Sequence, residues 1–257
     1  MRLKNKVVIV TGASRGIGQA ICVGFAKEGA TVVGVARSDL ADTGAAVKTA
    51  GGTFVAHKAD LGTGTQKESA EVIAAILAQT GQIDVLVNNA GIIRRAPAKD
   101  FSEADWNAVI ATNLNSPFFL MQATGKWWIE TGRAKAPETA RLKLVNIASL
   151  LSFQGGITVP AYTASKHGIA GVTKALANEW AKERINVNAI APGYITTENT
   201  KALREDANRN RTILERIPEA RWGRAEDIAG GCVFLASGES DYLNGAVINI
   251  DGGWLGR

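Results

Sequence analysis

The sequence predicts a three-layer α/β fold: one doubly wound parallel sheet covered by helices on both faces of a single domain. Three observations carry this. Short β-branched runs alternate with longer helical stretches along nearly all of the 257 residues. The runs are rich in Val, Ile, Leu and Ala, as expected of strands buried on both faces. No repeat, linker or low-complexity segment breaks the alternation, so a chain long enough for two ordinary domains is assigned to one, residues 1–257.

Taken in order, the predicted strands cover residues 6–10, 31–36, 53–57, 83–88, 142–148, 185–190 and 246–250. Helical spacing appears between them, first at Ile17, Ala20, Ile21, Gly24 and Phe25 and later at Val72, Ile73, Ile76 and Leu77. Two segments depart from the pattern. Residues 130–143, rich in Arg, Lys and Ala with Pro137, read as a surface excursion. Residues 192–224 are polar and helix-prone, and follow a strand's C-terminal end, where open α/β sheets bind ligands; a substrate lid is the reading.

Composition excludes several classes. With 46% hydrophobic and 21% charged residues, 28 Gly, 6 Pro and 2 Cys, the chain is not disordered, collagen-like or cysteine-stapled. Apolar runs end well short of the ~20 residues needed to span a bilayer. No export signal is evident at the N-terminus, which predicts a cytoplasmic location and no membrane partner. Cys22 and Cys232 sit in apolar segments as buried small hydrophobes, and no His/carboxylate cluster has metal-ligand spacing, so no metal is expected. The net charge of +5 comes from 29 basic and 24 acidic residues that are interleaved, which argues against a nucleic-acid surface and fits an anionic cofactor and a small anionic substrate.

The first strand runs into Thr11-Gly12-Ala13-Ser14-Arg15-Gly16-Ile17-Gly18 and then a helix, the setting of a dinucleotide site. Gly12 permits a tight turn, Gly16 close approach of backbone to pyrophosphate, and Gly18 close helix-strand packing, while the helix N-terminus offers free N–H groups to phosphate. The spacing is GxxxGxG, not the commoner GxGxxG. At the end of the second strand stands Arg37, with no carboxylate placed to bind a ribose 2'-hydroxyl; Asp39 is the nearest acid. Arg37 and Arg15 are suited to clamp a 2'-phosphate, so NADP(H) is the expected cofactor, with NAD(H) possible.

Tyr162 and Lys166, four apart at the start of a helical stretch, share one face. An ammonium beside a phenol favours the phenolate and is expected to lower the tyrosine pKa. Ser149 closes the fifth strand, and Asn88-Asn89-Ala90-Gly91 ends the fourth. His57 and His167 are not needed for this chemistry and read as structural or exposed.

Together these residues resemble the short-chain dehydrogenase/reductase superfamily over essentially the whole chain, with TGASRGIG, Asp60-Leu61, NNAG, Asn113, Ser149, Tyr162, Lys166 and Pro192-Gly193-Tyr194-Ile195-Thr196-Thr197 in order. The resemblance implies a Rossmann-type fold and hydride transfer between nicotinamide and a carbonyl or alcohol carbon. By it, Gly12, Ser14, Arg15, Ile17 and Gly18 face the cofactor, Asp60 and Leu61 contact adenine, and Asn88, Ala90 and Gly91 line the cofactor cleft. Pro192, Gly193, Ile195 and Thr197 lie along the nicotinamide, the last two holding its carboxamide. Asn113 anchors a proton-relay water chain, Ser149 holds the reacting oxygen, Tyr162 exchanges the proton, and Lys166 tunes Tyr162 and binds the nicotinamide ribose.

Finer matches at residues 88–95, 151–156, 178–182, 221–224 and 251–254 resemble the 2-deoxy-D-gluconate 3-dehydrogenase branch, also called 2-dehydro-3-deoxy-D-gluconate 5-dehydrogenase. That branch implies a deoxy sugar acid substrate; reduction of 4-deoxy-L-erythro-5-hexoseulose uronate is a related reading. The acid's carboxylate calls for a cation from Arg94 or Arg95, and its hydroxyls for Gln154, with Ser149, Tyr162 and Tyr194 completing the substrate set. The alternatives are a 3-oxoacyl-acyl carrier protein reductase, whose basic surface would meet an acidic carrier, and a cofactor-sensing binding protein. The resemblance also implies a homotetramer, for which Trp106, Phe118, Phe119, Trp127, Trp128 and Trp180 offer aromatic helix surface; core packing accounts for many of them equally well.

Overall fold

The run Val7-Val8-Ile9-Val10 carries no polar side chain and is sealed on both faces, so it can only be an interior strand. In the computed structural model, which describes residues 1–135 and 140–257, it becomes an interior strand of a seven-stranded, all-parallel sheet. The strands are β1 (Val7–Thr11), β2 (Thr31–Ala36), β3 (Thr53–Lys58), β4 (Val85–Asn88), β5 (Leu142–Ile147), β6 (Ile185–Pro192) and β7 (Val247–Ile250). Their spatial order is β3-β2-β1-β4-β5-β6-β7. The order reverses between β1 and β4, which opens a crevice at their C-terminal ends.

The covering helices are α1 (Gly16–Lys27), α2 (Ala41–Thr49), α3 (Gln66–Thr80), α4 (Glu103–Ile110), α5 (Ser116–Glu130), α6 (Pro160–Trp180), α7 (Lys201–Glu205), α8 (Ala207–Arg216) and α9 (Ala225–Ala236). On one face Phe25, Cys22, Ile228 and Val233 from α1 and α9 pack on the sheet; on the other Ile73, Ile76, Leu120, Trp128 and Leu176 from α3, α5 and α6 do so. Both cysteines are free and fully buried, and burial pushes the Cys22 thiol up to about 12, so it packs as a hydrophobe. Among the described residues no helix is long and apolar enough to cross a membrane.

Every predicted strand is present, with ends moved by one to a few residues. The expectation of burial on both faces fails at the two edges. Thr53, Ala56 and Lys58 of β3 and Asn249 of β7 are exposed, because an edge strand has a neighbour on one side only and the helical layers thin out there. Between surface and core, Trp128 falls to the core: it is 2% exposed, and its indole N–H donates to the Glu183 carbonyl at 3.0 Å. The basic excursion at 130–143 falls partly outside the described residues; its described parts are the end of α5, a turn at Arg133–Lys135 and the start of β5.

The 192–224 connection carries α7 and α8. Reciprocal backbone bonds from Thr196 N–H to the Gly223 carbonyl (2.8 Å) and from Gly223 N–H to the Tyr194 carbonyl (2.9 Å) clip its two ends together. A third, small apolar cluster lies beneath it, built on Leu150, Ile213, Ile217 and Trp254.

Candidate active site

The glycine turn leaves β1 with Gly12 at φ +65°, a conformation that glycine adopts without penalty. A Cβ on Gly18 would stand 2.1 Å from the Gly12 carbonyl oxygen, so α1 can seat against the turn only with glycine there. The turn is tied to the end of β4. The Thr11 hydroxyl accepts from the backbone N–H groups of Asn89 and Ala90 (3.0 Å each), and the Asn89 amide donates to the carbonyls of Thr11 (2.9 Å) and Gly12 (3.2 Å). Asn88, by contrast, turns its amide inward to Asn146 (3.0 Å) and the Pro117 carbonyl (3.3 Å), and so supports the cleft from behind.

This cradle fits a dinucleotide. Helices α3, α4 and α8 are capped by the side chains of Thr65, Ser102 and Asp206, whereas α1 starts at Arg15 with no side-chain cap and no acid in its first turn. Its leading N–H groups and positive dipole end therefore remain available to phosphate. Arg37 is highly exposed, with Asp60 its nearest acid at 4.0 Å. Asp39 accepts from the backbone N–H of Leu40 (2.7 Å) and Ala41 (3.1 Å), so its carboxylate caps the start of α2 and leaves Arg37 unopposed from that side. The Ser38 hydroxyl, next in sequence to Arg37, donates to the hydroxyl of Ser14, next to Arg15, at 2.9 Å. Leu61 is buried and its carbonyl accepts from Ser116 (2.6 Å), while Asp60 holds the Gly62 N–H at 2.9 Å. From the far side of the cleft Thr197 approaches the turn: a Cβ on Gly16 would lie 3.6 Å from its methyl. Pro192 ends β6, and Gly193 N–H continues the ladder to the Ile250 carbonyl at 2.9 Å.

The residues predicted to carry the reaction converge beside this cleft. Between α4 and α5 the chain makes one π-helical turn, Ala111–Asn115, an irregularity that recurs at functional sites. It presents buried Asn113, whose side chain accepts from Ile92 N–H (2.9 Å) and donates to the Ile92 carbonyl (2.9 Å) and Ser165 (3.3 Å). Ser149 lies just past β5 and caps a short turn at Leu150–Ser152, accepting from Leu151 N–H at 3.2 Å. Tyr162 and Lys166 share one face of α6 as their spacing predicts, with Nζ 5.5 Å from the phenol ring centre. Lys166 is 6% exposed, and its ammonium donates to the Ile147 carbonyl at 2.6 Å.

The electrostatics correct one expectation. Burial dominates at Tyr162 and raises its pKa; a hydrogen bond with Ser149 and the charge of Arg95 act in the opposite direction. Lys166 itself is pushed down to about 8 by burial. In the protein alone the phenol is thus held protonated, because removal from water outweighs the Ser149 hydrogen bond and the Arg95 charge.

Two adjacent arginines separate in space. Arg94 pairs with Asp105 of α4 at 3.2 Å, whereas Arg95 brings its charge to the Tyr162 phenol. The Gln154 carbonyl oxygen accepts from the Trp254 indole at 3.4 Å, and Tyr194 packs between Trp222 and Trp254 at centroid distances of 5.5 and 4.7 Å. Sequence reasoning did not single out Asn89, Thr11 or Trp254. All three lie inside motifs it quoted, but the side chains of Asn89 and Thr11 act on backbone and that of Trp254 on a residue 100 positions away, roles no spacing rule reveals. His167 is exposed and bonds the Thr163 carbonyl at 3.1 Å, and burial lowers the pKa of half-buried His57; neither contacts the reacting groups.

Residues 6–208 match the family described as short chain dehydrogenase. The chain is 51% identical to the 2-dehydro-3-deoxy-D-gluconate 5-dehydrogenase of Bacillus subtilis (strain 168), covering 99% of this chain and 96% of the relative. It is 49% identical to the enzyme of the same name from Escherichia coli (strain K12), with 99% and 97% covered. Among solved structures, a putative 2-deoxy-D-gluconate 3-dehydrogenase from Agrobacterium tumefaciens with bound NADP superposes with a TM-score of 0.91 at 51% identity, covering 99% of this chain and 98% of that one. The glycine turn on β1, the Ser149, Tyr162 and Lys166 group beyond β5 and the similarity over the full length lead to one conclusion: the chain belongs to the short chain dehydrogenase family.

Proposed function

We propose that this chain is an NADP(H)-preferring oxidoreductase, able to accept NAD(H), that acts on the keto or hydroxy group of a deoxy sugar acid. The class is that of 2-keto-3-deoxygluconate or 2-deoxygluconate, and reduction of 4-deoxy-L-erythro-5-hexoseulose uronate is one form of it. The observation that carries the substrate class is full-length identity of about half to two 2-dehydro-3-deoxy-D-gluconate 5-dehydrogenases. Arg95 supports it, because a cation beside the proton-exchanging phenol suits an acid held next to the reacting carbonyl.

When bound, the nicotinamide supplies or accepts the hydride at the substrate carbon. Everything else falls to the chain. Ser149 donates a hydrogen bond to the reacting oxygen and fixes it beside Tyr162. Tyr162, kept protonated by burial, gives its proton to that oxygen in reduction and takes it back in oxidation. Lys166 holds positive charge beneath the phenol and is placed to bind the nicotinamide ribose. Asn113, held in place by its bonds to Ile92 and Ser165, anchors the water chain through which the proton is replaced. Arg15 and Arg37, with the Ser14 and Ser38 hydroxyls, would receive a 2'-phosphate, and the 192–224 connection serves as the substrate lid. The assembly belonging to this reading is a homotetramer, in which Trp106, 41% exposed on the single chain, would be covered.

The test is initial-rate reduction of 4-deoxy-L-erythro-5-hexoseulose uronate with NADPH and NADH, followed at the reduced-nicotinamide absorbance, alongside oxidation of 2-deoxygluconate and 2-keto-3-deoxygluconate. Turnover of at least one acid with NADPH preferred is expected. Arg95→Ala should raise the KM for the acid by about 10- to 100-fold, the worth of one charged hydrogen bond, with a much smaller change in kcat. Arg37→Ala should lower kcat/KM with NADPH by a similar factor and leave NADH nearly untouched. Reduction of an acetoacetyl thioester with no turnover of any sugar acid would replace this reading with the acyl carrier protein one.

A further inference from the structure

The C-terminal residues 251–257 are anchored at several points. Asp251 accepts from the backbone N–H of Gly253 and Leu255 (2.9 Å each), folding the chain into a short turn at Trp254–Gly256. The Arg257 guanidinium donates to the Glu215 carbonyl on α8 at 2.9 Å. Trp254 is 4% exposed, and its indole lies 4.0 Å beneath the Arg216 guanidinium of α8 and 4.7 Å from the Tyr194 ring. Its N–H donates to the Gln154 side-chain oxygen at 3.4 Å. The chain end is thereby attached to the 192–224 connection on one side and to the segment after Ser149 on the other.

An indole nitrogen only donates, so it can hold a carboxamide by its oxygen alone. With the Gln154 oxygen taken, the NH2 group is the part left to face a ligand. The geometry points to Trp254 as a positioning residue for substrate recognition: it fixes the Gln154 amide so that its NH2 reads an acceptor oxygen of the sugar acid. This rests on the reading of Gln154 as a substrate contact. It also makes a residue 100 positions away a determinant of specificity, acting through Gln154.

Trp254→Phe keeps a ring against Tyr194 and Arg216 and removes only the donor, so the fold should survive, with a melting temperature within about 3 °C as the check for a loss of roughly 1 kcal/mol. It is compared with Gln154→Ala and with the double variant. Each single change should raise the KM for the sugar acid by about five-fold, the effect of one neutral hydrogen bond, with kcat and the NADPH dissociation constant unchanged. The double variant should be no worse than Gln154→Ala alone, a coupling that a purely structural role for Trp254 would not produce. Should Gln154→Ala raise KM while Trp254→Phe does not, or should the two effects multiply, the positioning role is overturned and the Gln154 contact stands. An unchanged KM in Gln154→Ala would remove the contact itself, and the positioning role with it.

Discussion

Tyr162→Phe is expected to bind NADPH with ordinary affinity and to lose turnover by about a thousand-fold, the usual contribution of a positioned proton donor. The change deletes one oxygen from a side chain whose ring already packs beside Lys166, so the cofactor cleft and fold should persist. Fluorescence titration of NADPH and initial rates separate the two effects, and retained turnover would remove Tyr162 from its role. The pH dependence has a definite sign. Because burial raises the phenol above its ordinary 10, reduction, which needs the proton in place, should not fall through loss of that proton between pH 6 and 9. Oxidation needs the phenolate and should climb over the same range. Ser149→Ala should steepen this asymmetry, since the Ser149 hydrogen bond opposes the upward shift.

The second large effect concerns stability. Lys166 drops from 10.5 to about 8 on burial, so folding removes a cation from water at neutral pH and gains a bond to the Ile147 carbonyl in return. A shift of that size corresponds to about 3 kcal/mol against the fold below pH 8. The unfolded chain binds more protons than the native one between about pH 8 and 10.5, so the Lys166 contribution makes stability rise with pH across that window. Lys166→Met keeps the volume and removes the charge. After about 1 kcal/mol for the lost hydrogen bond, the variant should melt about 5 °C higher at pH 7, lack the alkaline rise and turn over at a small fraction of the native rate. Calorimetry at pH 7 and pH 9.5 with parallel rate measurements decides it; a lower melting temperature at pH 7 would mean that the ammonium is better solvated than its surroundings indicate. The buried cation is thus held at a cost to the fold.

The strand-forming runs, the glycine turn and the four-residue spacing of Tyr162 and Lys166 could be read from sequence because each is local. β-branched runs, left-handed turns and one face of a helix are set by backbone preferences over a few residues. Features that depend on what lies opposite were not accessible in this way. Which strands sit at the edges follows from sheet order, and it exposes Thr53, Lys58 and Asn249, which a both-faces-buried reading had covered. Neighbouring arginines in a loop have no periodicity to tell them apart; Asp105, on a helix reached only through folding, takes Arg94 and leaves Arg95 to the phenol. The direction of the Tyr162 shift belongs to tertiary structure too, because an adjacent ammonium is visible in the spacing while the loss of solvent is not. Chemical identity and short-range order were therefore determined by the sequence alone. The sheet edges, the parting of Arg94 from Arg95, the phenol's proton affinity and the reach of Trp254 to Gln154 were decided by packing, since burial and long-range contact exist only once distant segments have met.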